Sequence, residues 1–256
     1  MSKARIVFLS LLFCLTIGGS SIKAQDSHIG VKGGISIPSL VSSGDNEVSK
    51  DYRARVAPNF GAFAEIPIHN RFSIQPEINY AGQGGVREGV QPITRAVPGL
   101  PSLPTGVYYF GEFKNVAVLN YLEIPVLAKL RLGITRRIYA TGGLYYGRLL
   151  NAKTITSGSS TIYLSKNKTP LLLPPANQPL PAIPFDATTD IKNDVHHNNY
   201  GITGGGGIDL PGKGNRFFVD VRVSYGFVAV QKDGVKNGTS HTGNLVISLG
   251  YKFKLK

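Results

Sequence analysis

Residues 216 to 255 carry two segments in which every second side chain is apolar. Phe217, Val219, Val221, Val223, Tyr225 and Phe227 are interleaved with Phe218, Asp220, Arg222, Ser224 and Gly226. After a polar stretch, Leu245, Ile247, Leu249, Tyr251, Phe253 and Leu255 alternate with Val246, Ser248, Gly250, Lys252 and Lys254. A period of two puts the sets on opposite faces of a β-strand. Strands this long, with charge confined to one face, are what a membrane-spanning β-barrel needs.

The N-terminus is read separately. Lys3 and Arg5 precede an apolar run from Ile6 to Ile17, then Gly18, Gly19, Ser20 and Ser21, with a cleavage-like site after Ala24. The pattern predicts a secretory signal peptide over residues 1–24, because the run is too short for a membrane anchor. Cys14, the only cysteine, falls inside it, and Phe13 is not the small residue that a lipoprotein signal wants before its cysteine. A mature chain without a thiol has no disulfide, no Cys-ligated metal and no Cys nucleophile. Removing Lys3, Arg5 and Lys23 from the 28 basic residues leaves 25 against 15 acidic ones, a net of +10. Beyond the signal no stretch approaches 18 apolar residues. An exported chain without a spanning helix still crosses a bilayer if its strands close into a barrel, since closure satisfies every backbone group.

Eight segments carry strand character: 28–37, 56–68, 71–81, 116–132, 137–149, 199–210 and the two described first. The links near 69, 134 and 212 are short, whereas those at 38–55, 82–115, 150–198 and 231–243 are longer. Short turns at one end and long loops at the other are the signature of an outer-membrane barrel, the short turns being periplasmic. The expectation is one domain over 25–256, an all-β, eight-stranded antiparallel up-and-down transmembrane β-barrel. On the apolar face Phe72, Phe217 and Phe253 fall near the short-turn end, and Phe60, Tyr80, Tyr146, Tyr200 and Tyr225 near the long-loop end. Eight steps from Phe72 to Tyr80 span roughly 20 Å at about 3.3 Å per residue and a tilt of about 40°. These aromatics are therefore assigned to two interfacial girdles.

Alternation alone does not say which face looks inward. A soluble eight-stranded carrier would put the apolar face inside. Here the polar face is mostly Gly, Ser, Asn and Tyr with a limited charged set: Lys32, Glu65, Glu77, Glu123, Lys129, Asp209, Asp220, Arg222 and Lys252. Buried charge survives when paired and hydrogen-bonded. Glu77 and Glu123 are accordingly expected to meet Lys32 and Arg222 in a lumenal network that fills the barrel, as eight strands leave room only for side chains. Pro76 and Pro125 lie inside predicted strands, where each removes a ladder hydrogen bond, and a bulge is expected at each.

Three segments resemble a known family: Ile29-Gly-Val-Lys-Gly-Gly-Ile35, Phe72-Ser-Ile-Gln-Pro-Glu-Ile-Asn-Tyr80 with Gly82-Gln-Gly-Gly85, and Tyr121-Leu-Glu-Ile-Pro-Val-Leu-Ala-Lys129. They are similar to the Bacteroidota outer-membrane β-barrel domain, of porin-like or PorT-like type, over essentially the whole mature chain. The resemblance implies an eight-stranded barrel in the cell outer membrane, without an assigned activity; PorT itself takes part in type IX secretion. The chain ends Phe253-Lys-Leu-Lys256, not on an aromatic as many such barrels do.

No enzymatic constellation is legible. Gly207-Ile-Asp-Leu-Pro-Gly212-Lys213-Gly214 lacks the hydroxyl residue of a phosphate-binding loop and precedes a strand where a helix is required. His196 and His197 stand in the longest loop with Asp190 and Asp194, while His28, His69 and His241 lie at strand ends or turns, so no triad can be read. The expectation is no catalytic residue, no cofactor and no metal. Pro170, Pro174, Pro175, Pro179, Pro181 and Pro184 stiffen the third long loop, whose interspersed Leu, Ile and Phe residues need a cover. That loop either folds over the barrel mouth, presents a partner surface or stays exposed. Arg53, Arg55, Arg87, Arg148 and Lys153 near the long loops are candidates for lipopolysaccharide phosphates. The expected partners are outer-membrane lipid, lipopolysaccharide and a protein at the external loops, with no nucleic acid, and the chain is expected to be a monomer. The functional expectation is a structural or interaction role: surface stabilisation, adhesion or service to a secretion machine. The alternatives are a narrow porin-like channel for small solutes and a soluble periplasmic carrier.

Overall fold

The computed structural model describes residues 27–97, 99–173, 177–212 and 214–255. The signal-peptide reading of 1–24, Cys14 included, lies outside them. Eight strands form from the eight alternating segments: β1 (His28–Ser42), β2 (Ala57–Pro67), β3 (Phe72–Pro92), β4 (Phe110–Leu132), β5 (Ile138–Ser157), β6 (Asn198–Asp209), β7 (Arg216–Gly226) and β8 (Ser240–Lys254). Each pairs antiparallel with the next. The ring closes where β8 pairs with β1, from His28↔Lys254 to Ser42↔Ser240. An all-β antiparallel barrel without a barrel edge results, so each strand has a partner on both sides.

The apolar set faces outward. Ile29, Val31, Ile78, Ile124, Val221 and Ile247 are exposed, whereas all nine charged side chains assigned to the other face are buried. This arrangement overturns the soluble-carrier alternative, which needs the opposite. The short connections are tight: Ile68 N donates to Phe72 O at 2.9 Å and Leu210 N to Phe217 O at 2.8 Å. We call the four external connections L1 (43–56), L2 (93–109), L3 (158–197) and L4 (227–239).

Several strands outrun their sequence bounds. β3 continues from Ala81 to Pro92 and β4 begins at Phe110, paired throughout from Gly82↔Asn120 to Pro92↔Phe110. β5 likewise continues to Ser157. The cause is a change of solvent. Beyond Tyr80 the outer face meets water, so Glu88, Glu112 and Lys114 take its outward positions, while Phe113, Ala117 and Leu119 point inward and are buried. The apolar signal thus changes sides part-way along one strand, and the glycines of 82–89 blur it further.

Neither proline makes a bulge. The β2–β3 ladder lapses between Phe63↔Glu77 and Ile66↔Ile74 and resumes in the same register. The β3–β4 ladder does so between Pro76↔Val126 and Asn79↔Glu123. Pairing is lost around each missing N–H without an inserted residue. The bulge sits higher, where Tyr121↔Leu149 gives way to Asn120↔Asn151 and Leu150 is left unmatched. One extra residue resets the side-chain parity, so Leu149 and Ala152 both face in and are buried. Inward glycines let the strands coil tightly. A Cβ at Gly34 would overlap the Ile247 carbonyl oxygen, and one at Gly205 that of Val221.

A photoactivatable probe confined to lipid tails is expected to label cysteines placed at Val221, Ile247 and Ile124, and a water-soluble thiol reagent to miss them. The reverse pattern contradicts this orientation of the faces.

Candidate functional site: filled lumen and external vestibule

Two groups of charge fill the lumen. Glu77, inward from β3, receives Lys32 Nζ at 2.6 Å and Arg222 Nη1 at 2.8 Å. Gln75 and Asn79, two positions either side on the same face, donate to it at 2.7 and 3.0 Å. Arg222 Nε also meets Asp220 at 2.6 Å, and the Tyr139 hydroxyl donates to Asp220 at 3.0 Å. Glu123, the fourth residue expected here, forms no ion pair among the described residues; it accepts a short hydrogen bond from Gln83. Its register partner is Asn79 rather than Glu77, and both cations close on Glu77.

The second group lies nearer the short turns. Glu65, 0% exposed, meets Arg131 closely and Lys129 and Lys252 at 3.2 and 3.3 Å. Lys252 also reaches Asp209 at 2.6 Å. Lys129 stands 3.8 Å from the centre of the Tyr139 ring, a cation–π contact. Sequence reading placed Glu65, Lys129, Asp209 and Lys252 on the inner face without grouping them; the i, i+2 spacing of Lys129 and Arg131 was the available signal. Six cations (Lys32, Lys129, Arg131, Arg216, Arg222, Lys252) thus meet four acids (Glu65, Glu77, Asp209, Asp220) in ion pairs, and Glu123 stands beside them hydrogen-bonded to Gln83. A cavity of about 30 Å³ beside Glu123, Tyr145 and Arg222 remains, room for about one water.

The aromatics assigned to girdles lie on the outer surface and pair across strands. Phe60 stacks on Tyr80 at 4.8 Å and Tyr146 lies 5.4 Å from Tyr200. Tyr225 stacks on His241 at 5.7 Å at the same end. At the other end Phe217 and Phe253 flank Tyr251 at 4.6 and 4.7 Å, and Phe72 pairs in register with Leu130.

Above the charges the interior turns apolar. Leu40, Leu119, Tyr121, Leu149, Val195 and Val230 pack into one layer. Over it opens a vestibule of about 390 Å³, walled by β3, β4 and β5 and by all four of L1, L2, L3 and L4. Residues Ala187–Asp190 of L3 add a short strand to the edge of β5, and Arg53 of L1 pairs with Val86 of β3. Residues flanking the Pro-rich part of L3 pack on β4 and L2: Ile162 and Phe185 are buried with Ile93 and Phe113, and Phe185 stacks on Phe113 at 4.4 Å. Lys166 of L3 grips Glu47 and Asp51 of L1 at 3.2 and 3.1 Å.

A family model described as "Outer membrane protein beta-barrel domain" matches residues 23–230. The chain belongs to this family. It is an outer-membrane β-barrel protein. No curated protein matches it. Among solved structures, OprG of Pseudomonas aeruginosa is 11% identical with a TM-score of 0.39, covering 90% of this chain and 97% of its own. Ail of Yersinia pestis is 13% identical at 0.36, covering 89% and 99%. Neisserial surface protein A is 12% identical at 0.36, covering 90% and 97%. None of these likenesses assigns a ligand to this chain.

In this outer-membrane barrel the cations proposed for lipopolysaccharide divide. Arg87 turns inward and donates to the Glu47 carbonyl at 2.7 Å, which removes it from the outer surface. Arg148 stays outside, donating to Asn198 at 2.8 Å beside the Tyr146–Tyr200 pair. His196 and His197 donate to the Ala229 and Lys192 carbonyls, each at 2.9 Å. Among the described residues no group of three His, Cys, Asp or Glu side chains is placed to hold a metal.

Removing Glu77 strands Lys32 and leaves Arg222 with Asp220 alone, so Glu77→Leu is expected to cost about 3–5 kcal/mol. Glu123→Leu strands one amide donor and is expected to cost about 1–3 kcal/mol. Urea midpoints of the refolded barrel in bilayers check the order. At the rim, the hydrogen bond from Lys166 holds the Asp51 carboxyl below its usual range. A depressed carboxyl stabilises above its unfolded pKa and stops doing so as pH falls through its folded value. The L1–L3 link therefore holds at neutral pH and opens only when the pH falls below the ordinary aspartate range, measured as faster pepsin cleavage of L3 than in a pH-insensitive control loop.

Proposed function

We propose that this protein is a non-conducting outer-membrane platform whose work is done by its external face, in surface stabilisation, adhesion or attachment to a secretion machine. The observation that carries the reading is the double closure of the interior: ion-paired side chains through the membrane, then the layer of Leu40, Leu119, Tyr121 and Leu149. Ions crossing such an interior would have to break buried pairs. Lys32, Glu77 and Arg222 act as a plug in this reading, and Glu123 as its hydrogen-bonded neighbour. The outer aromatics serve as girdles. Arg148, Lys153 and Lys192, exposed or half-buried on the external part of the wall, offer charge to lipopolysaccharide phosphates. The segments 72–80 and 121–129 support a PorT-like, Bacteroidota assignment, with residues 1–24 removed on export.

Planar bilayers holding the purified barrel are expected to show no conductance steps. Arg222→Leu is expected to lower the temperature at which the barrel unfolds in a gel-shift assay, since Glu77 and Asp220 lose their shared cation. Regular step openings by the wild-type protein would replace this reading with the channel.

A further inference from the structure

The two ends of the barrel are charged differently. Every described acid is either buried in the lumen or carried by the external strand ends and loops. At the short-turn end Arg71, Arg136 and Arg137 are exposed, and none of them meets a carboxylate among the described residues. They stand on two neighbouring turns. The Arg71 carbonyl accepts from Arg131 N at 2.8 Å, and Arg136 Nη1 donates to the Asn70 carbonyl at 3.3 Å. Three like charges are thus gathered with nothing to balance them, and such a cluster draws anions.

Their depth follows from what adjoins them. Arg71 precedes Phe72 and Arg137 precedes Ile138, both exposed on the lipid-facing wall. One residue is about 3.3 Å along a strand, so the guanidinium groups reach the headgroup layer just outside the apolar band. This placement rests on reading Phe72 as a girdle residue. The same two turns also present aliphatic side chains: Ile68 is exposed, and Ile134 is 98% exposed. Water alone offers such residues nothing. At a bilayer surface, an aliphatic group beside a cation is the pattern of an interfacial anchor.

We propose that the β2–β3 and β4–β5 turns bind a phospholipid of net negative charge, of the phosphatidylglycerol kind, in the leaflet on their side. The lipid phosphate accepts from the arginines, whose fork matches it, and the first methylenes of the acyl chains lie against Ile68 and Ile134. A zwitterionic headgroup brings its own cation and leaves the three arginines unbalanced. The site stands whether or not the lumen conducts, and it lies at the opposite end from the cations offered to lipopolysaccharide.

The chain has no tryptophan, so Phe72→Trp supplies a single emitter beside Arg71, and Tyr80→Trp one at the other end of the same strand. Each full-length variant is reconstituted in vesicles with phosphatidylglycerol or phosphatidylcholine carrying brominated acyl chains, which quench on contact. At Phe72→Trp, phosphatidylglycerol is expected to be preferred about three-fold or more, the scale of a surface cation acting on an anionic lipid. Adding Arg71→Gln, Arg136→Gln and Arg137→Gln is expected to remove the preference and to leave quenching at Tyr80→Trp unchanged. Replacing the same three by Lys keeps the charge and is expected to keep the preference. The gel-shift temperature confirms that each variant is folded. Equal quenching by the two lipids at Phe72→Trp, or a preference that survives the three Gln substitutions, overturns the proposal and leaves the girdle intact. No quenching by either lipid overturns both. Equal quenching together with capture of soluble polyglutamate by these arginines would assign them instead to an acidic macromolecule.

Discussion

Everything in this molecule follows from the lack of water in the hydrocarbon layer. A backbone N–H or C=O has no solvent partner there, so a sheet that enters must close on itself. The closing pair, β1 with β8, joins segments from opposite ends of the described chain, and fifteen register pairs hold it. Closure with eight strands then fixes the interior as a column one or two side chains wide. Polar groups expelled from the lipid face have to settle that column among themselves. Glu77 with its four donors and Glu65 with its three cations are the outcome.

The same constraint explains what was legible in the residues. Inside the bilayer two solvents act on the two faces, so alternation such as Phe217-Phe218-Val219-Asp220-Val221-Arg222 gave strand, face and charge together. Nine inner charges could be assigned in this way, and Arg131, which joins Glu65, was left outside that set. Their partners could not, because pairing across a barrel depends on stagger between strands distant in sequence. Glu123 sits one pair off Glu77 and meets Gln83, a residue that alternation ranks as merely polar. Lys252 is shared between Glu65 and Asp209 across three different strands.

Outside the bilayer the pattern weakened for a physical reason. With water on both sides of the wall, only the inward face is under pressure to be apolar, and glycines such as Gly84 and Gly89 adopt positive φ within the strand. Residues 82–92 and 110–115 therefore read as loop although they pair completely. The prolines misled in the opposite direction. Each costs its ladder a rung or two, yet the register survives because neighbouring pairs on both sides hold the strands in step.

Leu150 has a consequence out of proportion to its size. Below it β5 shows Leu149, Gly147 and Tyr145 to the interior; above it, Ala152, Thr154 and Thr156. Paired without a bulge there, the same sequence would turn the upper wall over, presenting Asn151, Lys153 and Ile155 instead. A single inserted position therefore lets one ribbon obey two media in succession, the cup above keyed to one parity and the stave below to the other.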